Sequence, residues 1–310
     1  MMSSSIKNLS KRWDLGDVKK IRRFKSGQVN ESYYVKTGQG EYVLRIYRYK
    51  KEKEIAFETS LLGRLTGLPV PEIVPVRGKE IIKVGLYPAI IYKYIPGESL
   101  KSITLNQRKD VGKTLAEIHS RTKDFKWSGK RNEYYNFTSN KINLFSRTVA
   151  KSRIPLKGRF QEIKDDIIRY RLSLSLPNGG IHVDIKPENV LFYKGRLNGI
   201  IDFDNSYIGP LVLDLAKTMM WFGLYDKKMN LTYARDIYRG YKSVRKLTAL
   251  EYEALYKTIM FAYASHLFDV FYMASLKKNT MRYFRFLMNN LYSSYKNFTV
   301  SKQDFYEYIA

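Results

Sequence analysis

Cysteine is absent from this 310-residue chain. That excludes disulfides and thiolate metal sites, and it suits a cytoplasmic enzyme. No apolar run approaches the roughly 18 residues that signal a membrane helix. The nearest, GPLVLDLAKTMMWFGL, is interrupted by Asp214 and Lys217, so no membrane span is expected. The opening MMSSSIKNLSKRW lacks the apolar core of a secretory signal. Acidic side chains are scarce, 29 against 55 Lys and Arg, for a net charge of +26. The imbalance is strongest over residues 101–175, with 18 basic and 7 acidic side chains, and weakest over 250–310, with 7 and 5. A positive field favours anionic ligands. No dense basic-aromatic cluster marks a nucleic-acid module, so nucleic acid is not the expected partner. Richness in Lys, Tyr, Ile and Asn fits a generally basic proteome equally well. Oligomeric state is not legible. The length suits one two-lobed domain or two small ones.

The informative segment is IHVDIKPENVLFYKGRLNGIIDF, Ile181 to Phe203. It sets His182, Asp184 and Asn189 in the pattern H-x-D-x-x-x-x-N. On a helix Asp184 and Asn189 would align poorly; on a loop closed by Pro187 both can face one cleft. Asn189–Phe192 reads as a strand, Tyr193–Arg196 as a turn and Leu197–Ile201 as the returning strand. Such a ribbon brings Asp202 back beside Asn189. ATP-dependent phosphoryl transfer needs this set: one carboxylate to take the proton of an attacking hydroxyl, an amide oxygen and a second carboxylate to hold magnesium. Mg²⁺ takes hard oxygen ligands, and phosphate oxygens and waters complete its shell. Asp184 is therefore assigned as base, and Asn189 and Asp202 as metal ligands. His182 is expected to brace the loop by hydrogen bonds.

On these residues the chain resembles the aminoglycoside phosphotransferase and choline kinase superfamily, and within it the homoserine kinases of that fold. WDLGDVKKIRRFKSGQVNESYYV, YVLRIY, GLPVPEIVP, YIPGESL, LDLAKTMMWF and RDIYRGYKSVRKLTALE carry the subfamily resemblance, which spans nearly the whole chain. It implies an α+β, bilobal protein-kinase-like fold. A small antiparallel-sheet lobe with one main helix would bind nucleotide over 1–95. A larger, mostly helical lobe would carry the catalytic loop and acceptor pocket over 96–310. It implies ATP and Mg²⁺ as cofactors and a small-molecule hydroxyl as acceptor, with homoserine first and an aminoglycoside, choline, sugar or amino sugar as alternatives. Two features depart from the pattern. Val183 stands where a small Gly or Ala is usual, and Lys186-Pro-Glu-Asn189 reads more like a protein-kinase loop. By that likeness Lys186 touches the γ-phosphate; the alternative is a solvated loop lysine.

Lys20–Phe24, Glu31–Thr37 and Glu41–Tyr47 read as strands, preceded by a helix near Ser10–Val18. Ser26, Gly27 and Asn30 lie in the first connection, where backbone N–H groups are expected to cover phosphates. In this fold a cation on the third strand pairs with phosphates and is held by a helix carboxylate. Arg45 takes that place, and Glu58, on a helix over Lys53–Thr66, is its expected partner. Leu68-Pro-Val-Pro71 ends that helix. Val74–Val76, Ile81–Val84 and Ala89–Tyr94 follow as strands. Tyr92-Lys-Tyr-Ile95, with Tyr92 and Tyr94, is the expected hinge that receives adenine through backbone groups; Pro96-Gly97 then starts the second lobe.

Beyond Leu105 helical spacing dominates, as at Val111, Leu115 and Ile118. Residues 121–155 carry little pattern, Ile163–Leu176 reads as a helix, and Asn230–Val244 and Thr248–Ala310 are helical. Asp214 is expected to support the catalytic-loop backbone, as the family resemblance implies. Asp204 is either a neighbour of the metal and acceptor or a solvated carboxylate. Tyr207, Trp221, Phe222 and Tyr225 could cage a choline, but core packing explains them better. The few acids after Leu250 weigh against a polycationic aminoglycoside. A homoserine pocket needs one cationic and one anionic partner, and neither is legible. A nucleotide-binding pseudokinase or a basic interaction protein is the reading from another class; intact Asp184, Asn189 and Asp202 weigh against it. A protein kinase is disfavoured because no D-F-G precedes an A-P-E-like segment.

Overall fold

The computed structural model describes residues 13, 15–24, 30–129 and 131–310. Of the helix expected near Ser10–Val18, residues 13 and 15–17 are described and are not helical. Its last residue, Val18, opens the first strand instead.

Five strands build the smaller lobe: β1 (Val18–Arg23), β2 (Glu31–Thr37), β3 (Glu41–Ile46), β4 (Ile82–Val84) and β5 (Tyr87–Lys93), in the order β1-β2-β3-β5-β4, all antiparallel. Helix α1 (Glu52–Arg64) lies between β3 and β4. Val74–Val76, expected as a strand, makes only isolated bridges there, Ile73 to Tyr92 and Val76 to Lys79. Alternation of side chains decides what this sheet presents. Leu44, Ile46, Ala89 and Ile91 face a small core with Trp13, Leu15 and Val35. Their neighbours Tyr47, Ile90 and Tyr92 face α1 and join the main core through Phe57 and Leu61. Arg45 shares the face of Tyr47.

The chain crosses to the larger lobe at Ile95–Gly97. Glu98 and Phe192 exchange backbone hydrogen bonds of 3.0 and 2.9 Å. Gly97, at φ 136°, lies so close that a Cβ would stand 2.8 Å from the Phe192 carbonyl. Helices α2 (Leu105–Thr122), α3 (Ser139–Lys151) and α4 (Lys157–Arg169) follow. The helix expected over Ile163–Leu176 thus starts and ends earlier, and part of the featureless 121–155 stretch is helical. Strands β6 (Asn178–Ile181) and β9 (Tyr207–Pro210) pair around the ribbon β7 (Val190–Tyr193) and β8 (Arg196–Ile200). The ribbon turns on Lys194 and Gly195, both at positive φ, the conformation of a two-residue type I′ turn.

Helix α5 (Leu211–Gly223) is buried along its whole length, as an all-round apolar helix must be. Two further short strands, β10 (Leu224–Tyr225) and β11 (Lys228–Met229), lead to α6 (Leu231–Lys242), α7 (Ala249–Ser275), α8 (Met281–Lys296) and α9 (Lys302–Ile309). α2 and α6 meet at backbone distance. A Cβ at Gly112 would lie 2.0 Å from the Ile237 carbonyl, and one at Gly240 2.1 Å from that of Lys109. Beside them Arg108 and Asp236 form a buried ion pair at 2.8 Å. Among the described residues no helix is long and apolar enough to cross a membrane.

Candidate active site

The loop after β6 is held from beneath by one carboxylate. Asp214, on α5 and wholly buried, accepts from the backbone N–H of His182 at 2.7 Å and of Val183 at 2.8 Å. His119 Nε2 is 3.2 Å from the same carboxylate, and His119 Nδ1 lies 2.7 Å from the Tyr241 hydroxyl. Burial alone would raise the Asp214 carboxyl; these donors outweigh it and hold it below the ordinary range. They also explain how Val183, a β-branched residue, stays at φ 63°, where glycine would be unstrained. His182 braces the loop from within. Its Nδ1 accepts from the Asp184 N–H at 3.2 Å, and its Nε2 donates to the Ile201 carbonyl at 3.0 Å, which sets the neutral tautomer.

Asp184 stands at the tip. Lys186 Nζ reaches its Oδ2 at 2.9 Å, and Asn189 Nδ2 reaches the Asp184 carbonyl at 2.8 Å and Oδ2 at 3.3 Å. Burial pulls the Lys186 ammonium down, but the Asp184 carboxylate beside it raises it overall. With its amide nitrogen turned to Asp184, Asn189 keeps Oδ1 for another partner. Ile201 N–H bonds the Asn189 carbonyl at 2.9 Å, so the ribbon does return Asp202 to Asn189. Asp202 itself is left-handed, φ 77° and ψ 54°.

The two lobes meet at a pair of carboxylates. Arg45 Nη2 contacts Asp202 at 2.6 Å and Asp204 at 3.1 Å. Burial would raise the Asp202 carboxyl; Arg45 holds it below its ordinary range despite repulsion from Asp184. Asp204 is buried and gathers more: Asn30 Nδ2 at 2.7 Å and Lys50 at 3.5 Å, while Arg131 and Lys50 bond its backbone carbonyl. Arg131 also bonds the Ser206 carbonyl at 2.7 Å and the Glu54 carbonyl of α1 at 2.5 Å.

The expected Arg45–Glu58 pair is not formed. Glu58 is buried and accepts from Tyr47 at 2.9 Å and Tyr92 at 2.7 Å. The Tyr47 ring lies 5.6 Å from the Arg45 guanidinium, on the same face of β3. Two hydroxyls satisfy the helix carboxylate, and burial raises its pKa against the pull of Arg45. The guanidinium turns instead to the pair of carboxylates across the cleft, where more negative charge is concentrated. Tyr92 lies inside β5, where its backbone is paired with Val43 of β3, and its side chain is committed to Glu58. Tyr94 donates its backbone N–H to the Glu41 carbonyl at 2.9 Å, so that group is also taken. Ser26 and Gly27 lie outside the described residues. Asn30 is drawn into the site, but onto Asp204.

The residues fit a divalent cation bound together with phosphates. Asn189 Oδ1 and the Asp202 carboxylate are hard oxygen donors on adjacent strand ends. Among the described residues no group of three His, Cys, Asp or Glu is placed to hold a metal unaided.

A carboxylate on a braced loop, an amide and a second carboxylate on one ribbon, and a strand arginine across a two-lobed cleft are the parts a phosphotransferase needs. A family model described as the phosphotransferase enzyme family matches residues 20–247, and the chain belongs to that family. It is a kinase that transfers phosphate to a hydroxyl. The chain is 29% identical over 252 residues to a homoserine kinase of Mesorhizobium japonicum, covering 79% of this chain and 78% of the relative. It is 30% identical over 250 residues to a homoserine kinase of Brucella anthropi, covering 78% and 76%. Among solved structures, an amicoumacin kinase with AMP-PNP, Ca²⁺ and Ami superposes with a TM-score of 0.74 at 15% identity, covering 98% of this chain and 96% of that one. A microcompartment-associated aminopropanol kinase does so with 0.68 at 17%, covering 94% and 95%. These neighbours bear out the protein-kinase-like fold.

Reading the sequence missed Arg131, Lys50 and Tyr47, and left Asp204 undecided. Arg131 lies in a stretch without periodicity, so nothing marked it. Asp204 was marked by its place, two residues after Asp202. Lys217 was visible as a charge inside an apolar run.

Proposed function

We propose that this phosphotransferase uses ATP with Mg²⁺ and phosphorylates the hydroxyl of a small molecule, with homoserine as the first acceptor. The observation that carries the reading is the fixed constellation of Asp184, Asn189 and Asp202 under the Arg45 guanidinium. The names of the relatives point to homoserine. The chemistry a Mg²⁺ ion would supply here is neutralisation of phosphate charge. Asn189 Oδ1 and Asp202 would hold it. Asp184 orients the acceptor hydroxyl and takes its proton as the oxygen attacks. Lys186, fixed to Asp184, stands ready to meet the transferred phosphoryl group. Arg45 supplies the cation from the smaller lobe, and the connection holding Ser26, Gly27 and Asn30 covers the phosphates. Positioning and electrostatics carry most of the catalysis. Residues 1–95 serve the nucleotide, and 96–310 carry the catalytic loop and the acceptor pocket.

Tyr94 N–H is used in the sheet, and Pro96 has no N–H and accepts from Asn198 at 2.7 Å. Ile95 therefore offers the backbone donor for adenine. Asp184→Asn tests the function. ADP release with Mg·ATP and homoserine is expected to fall about 10²- to 10⁴-fold while nucleotide binding persists. Equal turnover in the variant would sink the assignment of Asp184.

A further inference from the structure

Next to Asp184 lies a second cluster that phosphoryl transfer does not use. Lys217, on α5, is fully buried, and its Nζ has no hydrogen-bond partner among the described residues. The Tyr135 ring lies 3.5 Å from Nζ to the centroid. Trp221 stands one turn further along the same face of α5, and its Nε1–H is buried without a partner. The Trp221 ring lies 4.9 Å, edge to face, from His266 of α7 and 5.8 Å from Lys186 Nζ. His266 Nδ1 is 3.2 Å from the Tyr135 hydroxyl, and its Nε2 is again buried and unpaired. When Tyr135 donates to Nδ1, the neutral ring carries its proton on Nε2. Among the described residues, three buried donors without hydrogen-bond partners then lie around the Tyr135 and His266 rings.

Each unmade hydrogen bond of a buried donor is costly, and a buried ammonium most of all. Core packing gives no reason to gather three. An acceptor-rich anion between them would satisfy all three. The acids nearby are on its rim. Asp184 lies on the catalytic loop, and Asp269 lies one turn after His266 on α7 and is partly exposed. Tyr135 sits in the irregular stretch before α3, so its ring can leave Lys217 without breaking an element.

We propose that Lys217, with Trp221 and His266, binds the carboxylate of the acceptor, and that Asp269 binds its ammonium, so that the enzyme selects hydroxy-amino acids over simple amino alcohols. The proposal rests on the kinase reading and adds the two charged partners that an amino-acid acceptor requires. The electrostatics agree. Burial pulls Lys217 down to about 7, against the attraction of Asp184, Asp269 and Asp214 and with the repulsion of Lys186. Burial pushes Asp269 up to about 6, against Lys141 and Lys217 and with Asp184. His266 is held neutral by burial, Lys217 and Lys186, and burial keeps the Tyr135 hydroxyl protonated. A zwitterion restores the charge on both Lys217 and Asp269.

The test uses L-2-aminobutyrate, which has the two charges and no hydroxyl, titrated calorimetrically into the full-length protein with Mg·AMP-PNP. Binding is expected in the wild type and about 10- to 100-fold weaker in Lys217→Met. At pH 8, binding is expected to take up a proton in the wild type and none in the variant, read from buffers of different ionisation enthalpy. Nucleotide affinity should match in both. In turnover, Lys217→Met should raise KM for homoserine more than it lowers kcat, and should not impair 3-amino-1-propanol. No aminobutyrate binding by the wild type, or equal binding without proton uptake in both proteins, would overturn the proposal. Aminobutyrate binding without turnover of homoserine would uphold the carboxylate site and defeat the homoserine reading. Turnover of homoserine that is indifferent to Lys217→Met would do the reverse.

Discussion

Asp214 and Lys217 lie three residues apart on one helix, and both are fully buried. Their surroundings are opposite. Asp214 has donors from His182, Val183 and His119. Lys217 has an aromatic face and no hydrogen bond among the described residues. A saturated buried charge is part of the scaffold: it fixes the loop that carries Asp184. An unsaturated one costs stability in the free protein, and its natural remedy is a ligand. Burial alone does not separate the two cases; the completeness of the partners does.

The contrast predicts opposite signs for two substitutions. Asp214→Ala leaves two loop N–H groups and His119 without their acceptor and should cost about 3–5 kcal/mol in chemical denaturation at pH 7. A loss no larger than that of a surface substitution would break the comparison. Lys217→Met fills the same space without a charge and should raise stability by on the order of 1–4 kcal/mol at neutral pH. A variant less stable than wild type would mean that Lys217 is satisfied after all.

The smallest effect is in the pH profile, and it sharpens the contrast. Asp214 is depressed in the folded state, so its contribution is present above the unfolded value of about 3.9 and is lost as pH falls through the folded one. Lys217 is a base depressed to about 7. Between there and the unfolded value of about 10.4 the unfolded chain holds more protons. Wild-type stability should therefore climb over that range relative to Lys217→Met, and the advantage of the variant should shrink. Denaturation midpoints at pH 7 and pH 9.5 measure it; a constant gap would refute the depressed lysine.

The larger features of the fold were legible because they rest on local rules. The β7–β8 ribbon announced itself through a short strand pattern around Lys194-Gly195, and its length alone returns Asp202 to Asn189. The strand of Glu31–Thr37 and the helix after Lys51 follow from alternation and from the proline stop. Val74–Val76 shows where such rules end: its β-branched residues promise a strand, but its neighbours permit only single bridges. The Glu58 error has the same origin. Helix spacing located Glu58 correctly on the buried face of α1, yet could not show that Tyr47 and Tyr92 point at it from two different strands.

By itself, then, the sequence determined that Asp184, Asn189 and Asp202 come together, their loop and ribbon, and the two-lobed class. These depend on spacings of a few residues and on local backbone preferences. Only the tertiary structure decided which carboxylates Arg45 meets, that Asp204 gathers Asn30, Lys50 and Arg131, and that Lys217 and His266 both meet Tyr135. Those contacts join residues tens to more than a hundred positions apart, and their energies depend on distance, burial and the presence of competing partners. None of these quantities is written in a local stretch of chain.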